Sequence, residues 1–137
     1  MQTPTATDLD VLERTLWGEA RGEGFDGMRA VAHVVRNRAD DRRWPASLGA
    51  VCRQRAQFSC WNVHDPNRRL LLKVGYEDPA FLVARAAAAT ALAEDHDPTD
   101  GANHYFARHL MDKGQTPFWF DPDRVTAMVG NHVFMRL

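Results

Sequence analysis

The stretch LDVLERTLWGEARGEG, residues 9–24, decides the fold of this 137-residue chain. On a helix with 3.6 residues per turn, three leucines and two glutamates of this stretch fall along one line: Leu9, Leu12, Leu16, Glu19 and Glu23. An apolar face suited to a protein core therefore ends in carboxyl groups. We predict a core helix here, after a loose N-terminal tail over residues 1–8 and within one folded domain over residues 9–137.

The start and the end of this helix place Glu19 in an unusual environment. Thr7 and Asp10 have the spacing of a capping box at the start, and glycines at 18, 22 and 24 weaken the helix toward its end. Burial and the partial negative charge of a helix C-terminus both disfavour a charged carboxylate, so Glu19 is expected to resist ionisation. A carboxyl group that keeps its proton can act as a general acid. The alternative is a solvated residue at the helix end.

Composition limits the classes of function. The chain is 45% hydrophobic and 26% charged, with 17 basic and 18 acidic side chains and a net charge of -1. This balance provides no electrostatic attraction to nucleic acid or to an anionic membrane. No apolar run is long enough to span a bilayer, and the N-terminus lacks the pattern of a signal peptide. We predict a soluble monomer that is synthesised in the cytoplasm, with no nucleic-acid partner and no membrane insertion.

The two cysteines do not predict a metal site or a disulfide scaffold. Cys52, Cys60 and His64 lack the close paired spacing of zinc ligands, so no metal and no cofactor are expected. A single disulfide between the cysteines and two free thiols are both compatible with their spacing.

Local signals predict the remaining elements. A second helix is expected over 25–38, with Asp26 as its N-cap and with Asn37 and Arg38 capping its C-terminus. Ser47 can cap a short helix, and Asp78 followed by proline predicts a helix that runs to about Glu94. Residues 57–61 alternate like a short strand and residues 62–69 are predicted to form a loop. Phe118, Trp119 and Phe120 either line a groove or close the core. The predicted fold class is α+β, predominantly α, with a small central β-element.

Several motifs in order along the chain resemble those of the SleB-type cell wall hydrolases, which include spore-cortex-lytic enzymes and phage endolysins. The motifs cover about residues 9 to 135: WGEARGE at 17–23, NR at 37–38, QFSC at 57–60, DPT at 97–99, YF at 105–106 and GNH at 130–132. The resemblance implies a lysozyme-like fold that cleaves the glycan strand of peptidoglycan. It also implies that Glu19 is the catalytic general acid, which protonates the oxygen between N-acetylmuramic acid and N-acetylglucosamine.

Other polar residues of these motifs are predicted to bind substrate: Glu23, Gln57, Ser59 and Tyr105. Glu23 lies one turn after Glu19 on the same helix, which places it poorly for reaching the opposite face of a sugar. It is therefore expected to support the structure or bind substrate. Ser59 could equally be a surface serine, and Tyr105 a buried tyrosine with a satisfied hydroxyl.

Three functions from different classes remain open at this stage. The first is a muramidase or lytic transglycosylase that acts on the wall, with release through a holin as in phage endolysins. The second is a peptidoglycan-binding or structural module that has the fold but no activity. The third is a zinc amidase that cuts the stem peptide, which the absence of metal-ligand spacing disfavours.

Overall fold

The computed structural model describes residues 1–55 and 57–137. Within them, six α-helices follow one another along the chain: α1 (Ala6–Ala20), α2 (Gly24–Ala39), α3 (Leu48–Arg53), α4 (Pro66–Lys73), α5 (Pro79–Ala93) and α6 (His109–Asp112). Three short strands lie in the last third of the chain: β1 (His104–Ala107), β2 (Val125–Val129) and β3 (His132–Met135). The predicted α+β fold with predominant α-helix is confirmed.

The core forms where α1, α2 and α5 pack together. Leu12 and Leu16 of the opening stretch are fully buried, as predicted, whereas Leu9 at the start of the same face is 36% exposed. The face that α5 turns inward consists largely of alanines, and these small side chains allow the helices to approach closely. The end of α1 that carries Glu19 is therefore held on a rigid helical base.

The small β-element does not lie where the sequence predicted it. Residues Ser59–Trp61, within the predicted strand 57–61, form a single 3-10 turn. Phe58 and Cys60 are buried while Gln57 and Ser59 are exposed, so the alternation is real. It arises because the turn packs on α1, and none of the described strands pairs with it. The sheet instead has the order β1, β3, β2, with antiparallel pairing throughout and a hairpin between β2 and β3 at Gly130.

Three helix starts also differ from the sequence predictions. The capping box of α1 joins Thr5 and Asp8 rather than Thr7 and Asp10, so the helix begins inside the predicted tail. Asp26 lies in the first turn of α2 and is not its N-cap. Residues 62–69 include the start of α4, because an aspartate N-cap and the proline after it start a helix as readily as they form a turn.

The predicted N-caps of α3 and α5 are confirmed. Ser47 caps α3, and Asp78 caps α5, which ends at Ala93.

Cys52 and Cys60 are both buried thiols, and burial raises the pKa of Cys52 to about 12. Over residues 1–55 and 57–137, no helix is long and apolar enough to cross a membrane, and no three metal-ligating side chains cluster.

Candidate active site

An open cleft of about 570 Å³ lies between the end of α1, the turn that contains Ser59, and strand β1. Four of the five residues that the sequence predicted for the site line this cleft: Glu19, Gln57, Ser59 and Tyr105. They are up to 86 residues apart along the chain, between positions 19 and 105, and the fold brings them together. The cleft is therefore the candidate active site.

The Glu19 carboxyl group is held in the wall of the cleft by the turn that packs against α1. The backbone N–H of Cys60 donates a hydrogen bond to Oε1 of Glu19 at 3.2 Å. The same turn is anchored one helical turn earlier, where the indole N–H of Trp61 donates to Oγ1 of Thr15 at 2.8 Å. Glu19 is half-buried, so its carboxyl group is both fixed and open to a ligand.

Tyr105 faces the same cleft from β1. Its ring packs against His132 and Phe134 of β3, with ring centroids 5.0 and 5.6 Å away. Burial raises the pKa of Tyr105 well above its ordinary value. The phenol therefore keeps its proton and can donate a hydrogen bond into the cleft.

Glu23, the fifth predicted site residue, does not line the cleft. Its Oε2 accepts a hydrogen bond from the backbone N–H of Asn131 at 3.2 Å. Asn131 lies in the turn between β2 and β3, so Glu23 connects the exit of α1 to the hairpin. Of the two roles expected from the sequence, this contact favours structural support over substrate binding.

The cleft also contains residues that sequence reasoning missed or assigned elsewhere. Arg38 was predicted to cap α2, but it is only 5% exposed and lies in the wall of the cleft. The missed signal is its position four residues after Val34, on a buried face of the helix. Of the aromatic residues predicted to line a groove or close the core, Phe118 lines the cleft, and Trp119 both lines the cleft and packs against Phe106 of the core.

His104 is a further neutral polar group in the wall of the cleft. Its Nδ1 lies 2.7 Å from Oδ1 of Asn103, and that oxygen also accepts a hydrogen bond from the backbone N–H of Leu137. This arrangement assigns the ring proton to Nδ1 and leaves Nε2 as an acceptor. Burial, and then the charges of Arg38 and Arg43, lower the pKa of His104 to about 4. The ring is therefore uncharged at neutral pH.

The predominantly helical fold with its small sheet is that of the SleB catalytic domains. The catalytic domain of the Bacillus cereus SleB protein superimposes with a TM-score of 0.77 and 23% identity, over 99% of this chain and 94% of that one. The catalytic domain of the germination-specific lytic transglycosylase SleB from Bacillus anthracis gives a TM-score of 0.75, also at 23% identity, over 99% of both chains.

Sequence comparison leads to the family itself. The family model for Cell Wall Hydrolase matches residues 22–135. A spore cortex-lytic enzyme of Halalkalibacterium halodurans is 30% identical over 127 residues, and one of Bacillus subtilis is 30% identical over 128 residues. Each alignment covers 93% of this chain, which spans 34% and 37% of the two relatives' own lengths. The chain belongs to the Cell Wall Hydrolase family, and the predicted SleB-type resemblance is confirmed.

Proposed function

We propose that this chain cleaves the β-1,4 bond between N-acetylmuramic acid and N-acetylglucosamine in peptidoglycan, with Glu19 as the general acid. The observation that carries the proposal is the placement of Glu19 on the wall of an open cleft, in a chain of the Cell Wall Hydrolase family. The name of the Bacillus anthracis relative, a lytic transglycosylase, supports the same chemistry.

Glu19 begins the reaction by donating its proton to the glycosidic oxygen. The bond from that oxygen to C1 of N-acetylmuramic acid breaks, and an oxocarbenium-like centre develops at C1. Tyr105 and Ser59 lie in the same cleft and orient the sugar by hydrogen bonds from their hydroxyl groups. Gln57 supplies an amide to the same wall.

The residues that line the cleft favour transglycosylation over hydrolysis in the second half of the reaction. Glu19 provides the one carboxyl group among the described residues that line the cleft, whereas glycoside hydrolysis ordinarily uses two. The C6 hydroxyl oxygen of the same sugar attacks C1, and its proton returns to the Glu19 carboxylate. The products are a 1,6-anhydro end and a new 4-hydroxyl end, and no water is consumed.

Mass spectrometry of digested peptidoglycan tests this proposal. We expect 1,6-anhydromuramic ends. Reducing muramic ends would instead mean that the chain hydrolyses the bond. New peptide termini without new glycan ends, in a reaction that a chelator stops, would identify a zinc amidase instead. Binding to the wall without any new ends would identify a non-catalytic module. Release as a phage endolysin and a monomeric state remain predictions from the sequence.

A further inference from the structure

Arg38 is a buried cation in the cleft wall whose charge meets no acidic side chain among residues 1–55 and 57–137. Its Nε donates to the backbone oxygen of Asn103 at 2.7 Å, and its Nη1 donates to Oε1 of Gln57 at 3.2 Å. The rings of Trp44 and Phe58 lie 5.4 and 5.6 Å from its Cζ. All four partners are neutral. Because a buried charge is ordinarily paired with an opposite one, this site lacks an anion.

Gln57 extends the same donor surface. Its amide oxygen accepts a hydrogen bond from Arg38, and its amide nitrogen, with two N–H donors, has no hydrogen-bond acceptor among residues 1–55 and 57–137, so it can donate to a ligand. Both side chains line the cleft. This part of the wall therefore presents positive charge and N–H donors, a combination that suits a carboxylate.

We propose that Arg38 and Gln57 form a carboxylate-binding subsite in the same cleft as Glu19. The inference rests on the proposed function, because it assumes that the ligand is a cell wall glycan. N-acetylmuramic acid differs from N-acetylglucosamine by a lactyl group, which ends in a carboxyl group. This group is either free or linked to a peptide that has carboxylates of its own. The subsite would then determine which sugar is placed beside Glu19.

Binding of soluble fragments to the wild-type chain tests the subsite without any substitution. The probes are N-acetylglucosaminyl-N-acetylmuramic acid with a free lactyl carboxylate, its methylamide, and the same disaccharide carrying a tripeptide stem with free or amidated carboxyl groups. We expect at least one carboxylate form to bind about tenfold more tightly than its neutral counterpart. A preference in the stem-free pair identifies the lactyl carboxylate as the ligand of the subsite. A preference in the tripeptide pair alone identifies a carboxylate of the peptide as the ligand. Equal affinities in both pairs would overturn the proposal.

Variants connect the preference to the two residues. Arg38→Gln should abolish the preference for the carboxylate, and Arg38→Lys should retain part of it. Because Arg38 is buried, its replacement can unfold the chain, so Gln57→Leu provides a second variant at an exposed position. We expect Gln57→Leu to reduce the preference for the carboxylate probe about threefold. Arg42→Gln is the matched control, since Arg42 is an exposed arginine of the neighbouring segment that does not line the cleft. A reduction of the preference in Arg42→Gln equal to that in Gln57→Leu would contradict the assignment.

The binding experiment separates failure of the subsite from failure of the proposed function. A chain that prefers the carboxylate but releases no glycan fragments has the subsite and lacks the proposed activity. A chain that cleaves glycan strands but binds acid and methylamide forms equally has the activity and lacks the subsite.

Discussion

Gly18 on α1 lies so close to Cys60 that a methyl group on Gly18 would stand 2.9 Å from the Cβ of Cys60 and 3.0 Å from its Sγ. This approach brings the backbone N–H of Cys60 within hydrogen-bonding distance of Glu19. The absence of a side chain at Gly18 is therefore a structural requirement. It allows the turn at Ser59–Trp61 to pack against the helix that carries the proposed acid.

Gly18→Ala should displace this turn from α1. We expect the free energy of unfolding to fall by about 1–3 kcal/mol, as for other overpacked sites, and wall-degrading activity to fall about tenfold or more. Denaturant unfolding and a peptidoglycan turbidity assay measure the two effects. Gly22→Ala is the matched control, because no atom of the residues that the structure describes lies within 4 Å of a methyl group placed there. Equal effects at both positions would contradict this account.

Glu19→Gln should remove the proton donor while it preserves the shape of the cleft. We expect kcat to fall by about 10²–10⁴-fold, the usual range for loss of a general acid, with little change in stability. Glu13→Gln, on the same helix but outside the cleft lining, should retain activity. Full activity of Glu19→Gln would assign the chemistry to another group.

The local signals of the sequence were sufficient to predict α1, α2, α3 and α5, whereas the start of α4 was predicted to be a loop. The buried face of Leu12 and Leu16 leads to Glu19, and the Asp78 cap starts α5, because both depend on residues within one or two helical turns. The motifs of the family resemblance added Gln57, Ser59 and Tyr105 to the prediction, and these residues line the same cleft as Glu19.

Long-range contacts explain what the sequence did not predict. Strand β1 has four residues and pairs with β3 from Ala107 to His132 and from His104 to Met135, so no local pattern could reveal the sheet. Arg38 lies near the C-terminal end of α2, where an arginine commonly caps a helix, and its packing against Trp44 and Phe58 shows that it lies inside. Its spacing from the buried Val34 was the one local sign of this burial, and the aromatic rings that cover its charge come from other segments of the chain.

Glu23→Ala should loosen the hairpin between β2 and β3. The loss of one hydrogen bond to the Asn131 backbone should lower the free energy of unfolding by about 1 kcal/mol. Glu23→Gln keeps an acceptor oxygen and should be affected less. Because Glu23 lies outside the cleft lining, KM should stay within about twofold of the wild-type value in both variants. A large rise in KM would instead support the substrate-binding role predicted from the sequence.

Acid should destabilise the chain through Glu94, which joins the end of α5 to α2. Its carboxylate accepts hydrogen bonds from Arg29 at 2.7 and 2.6 Å and lies 2.6 Å from Nε2 of His33. The hydrogen bonds from Arg29 are the largest cause that lowers the pKa of Glu94 to about 2. A depressed carboxyl pKa stabilises the fold fully above the unfolded value near 4.5, and this stabilisation is lost as the pH falls toward 2.

Glu94→Gln should therefore flatten the dependence of stability on pH between about 4.5 and 2. At neutral pH we expect it to cost on the order of 2 kcal/mol, a figure that allows for partial solvent screening. Urea unfolding at a series of pH values measures both effects. Asp95→Asn, one residue further along in an exposed position, is the control and should retain the wild-type slope.

Phe118 is 99% exposed and lines the cleft, so its side chain contributes almost nothing to the core. A large apolar ring left in solvent beside a candidate sugar site is suited to stacking on the apolar face of a pyranose. Phe118→Ala should therefore raise KM for glycan strands by about three- to tenfold and leave thermal stability unchanged. Val63→Ala removes another exposed apolar side chain, 74% exposed and outside the cleft lining, and should change neither quantity. An unchanged KM in Phe118→Ala would mean that the glycan strand does not contact this side of the cleft. The sugar would then lie along β1 and Tyr105 alone.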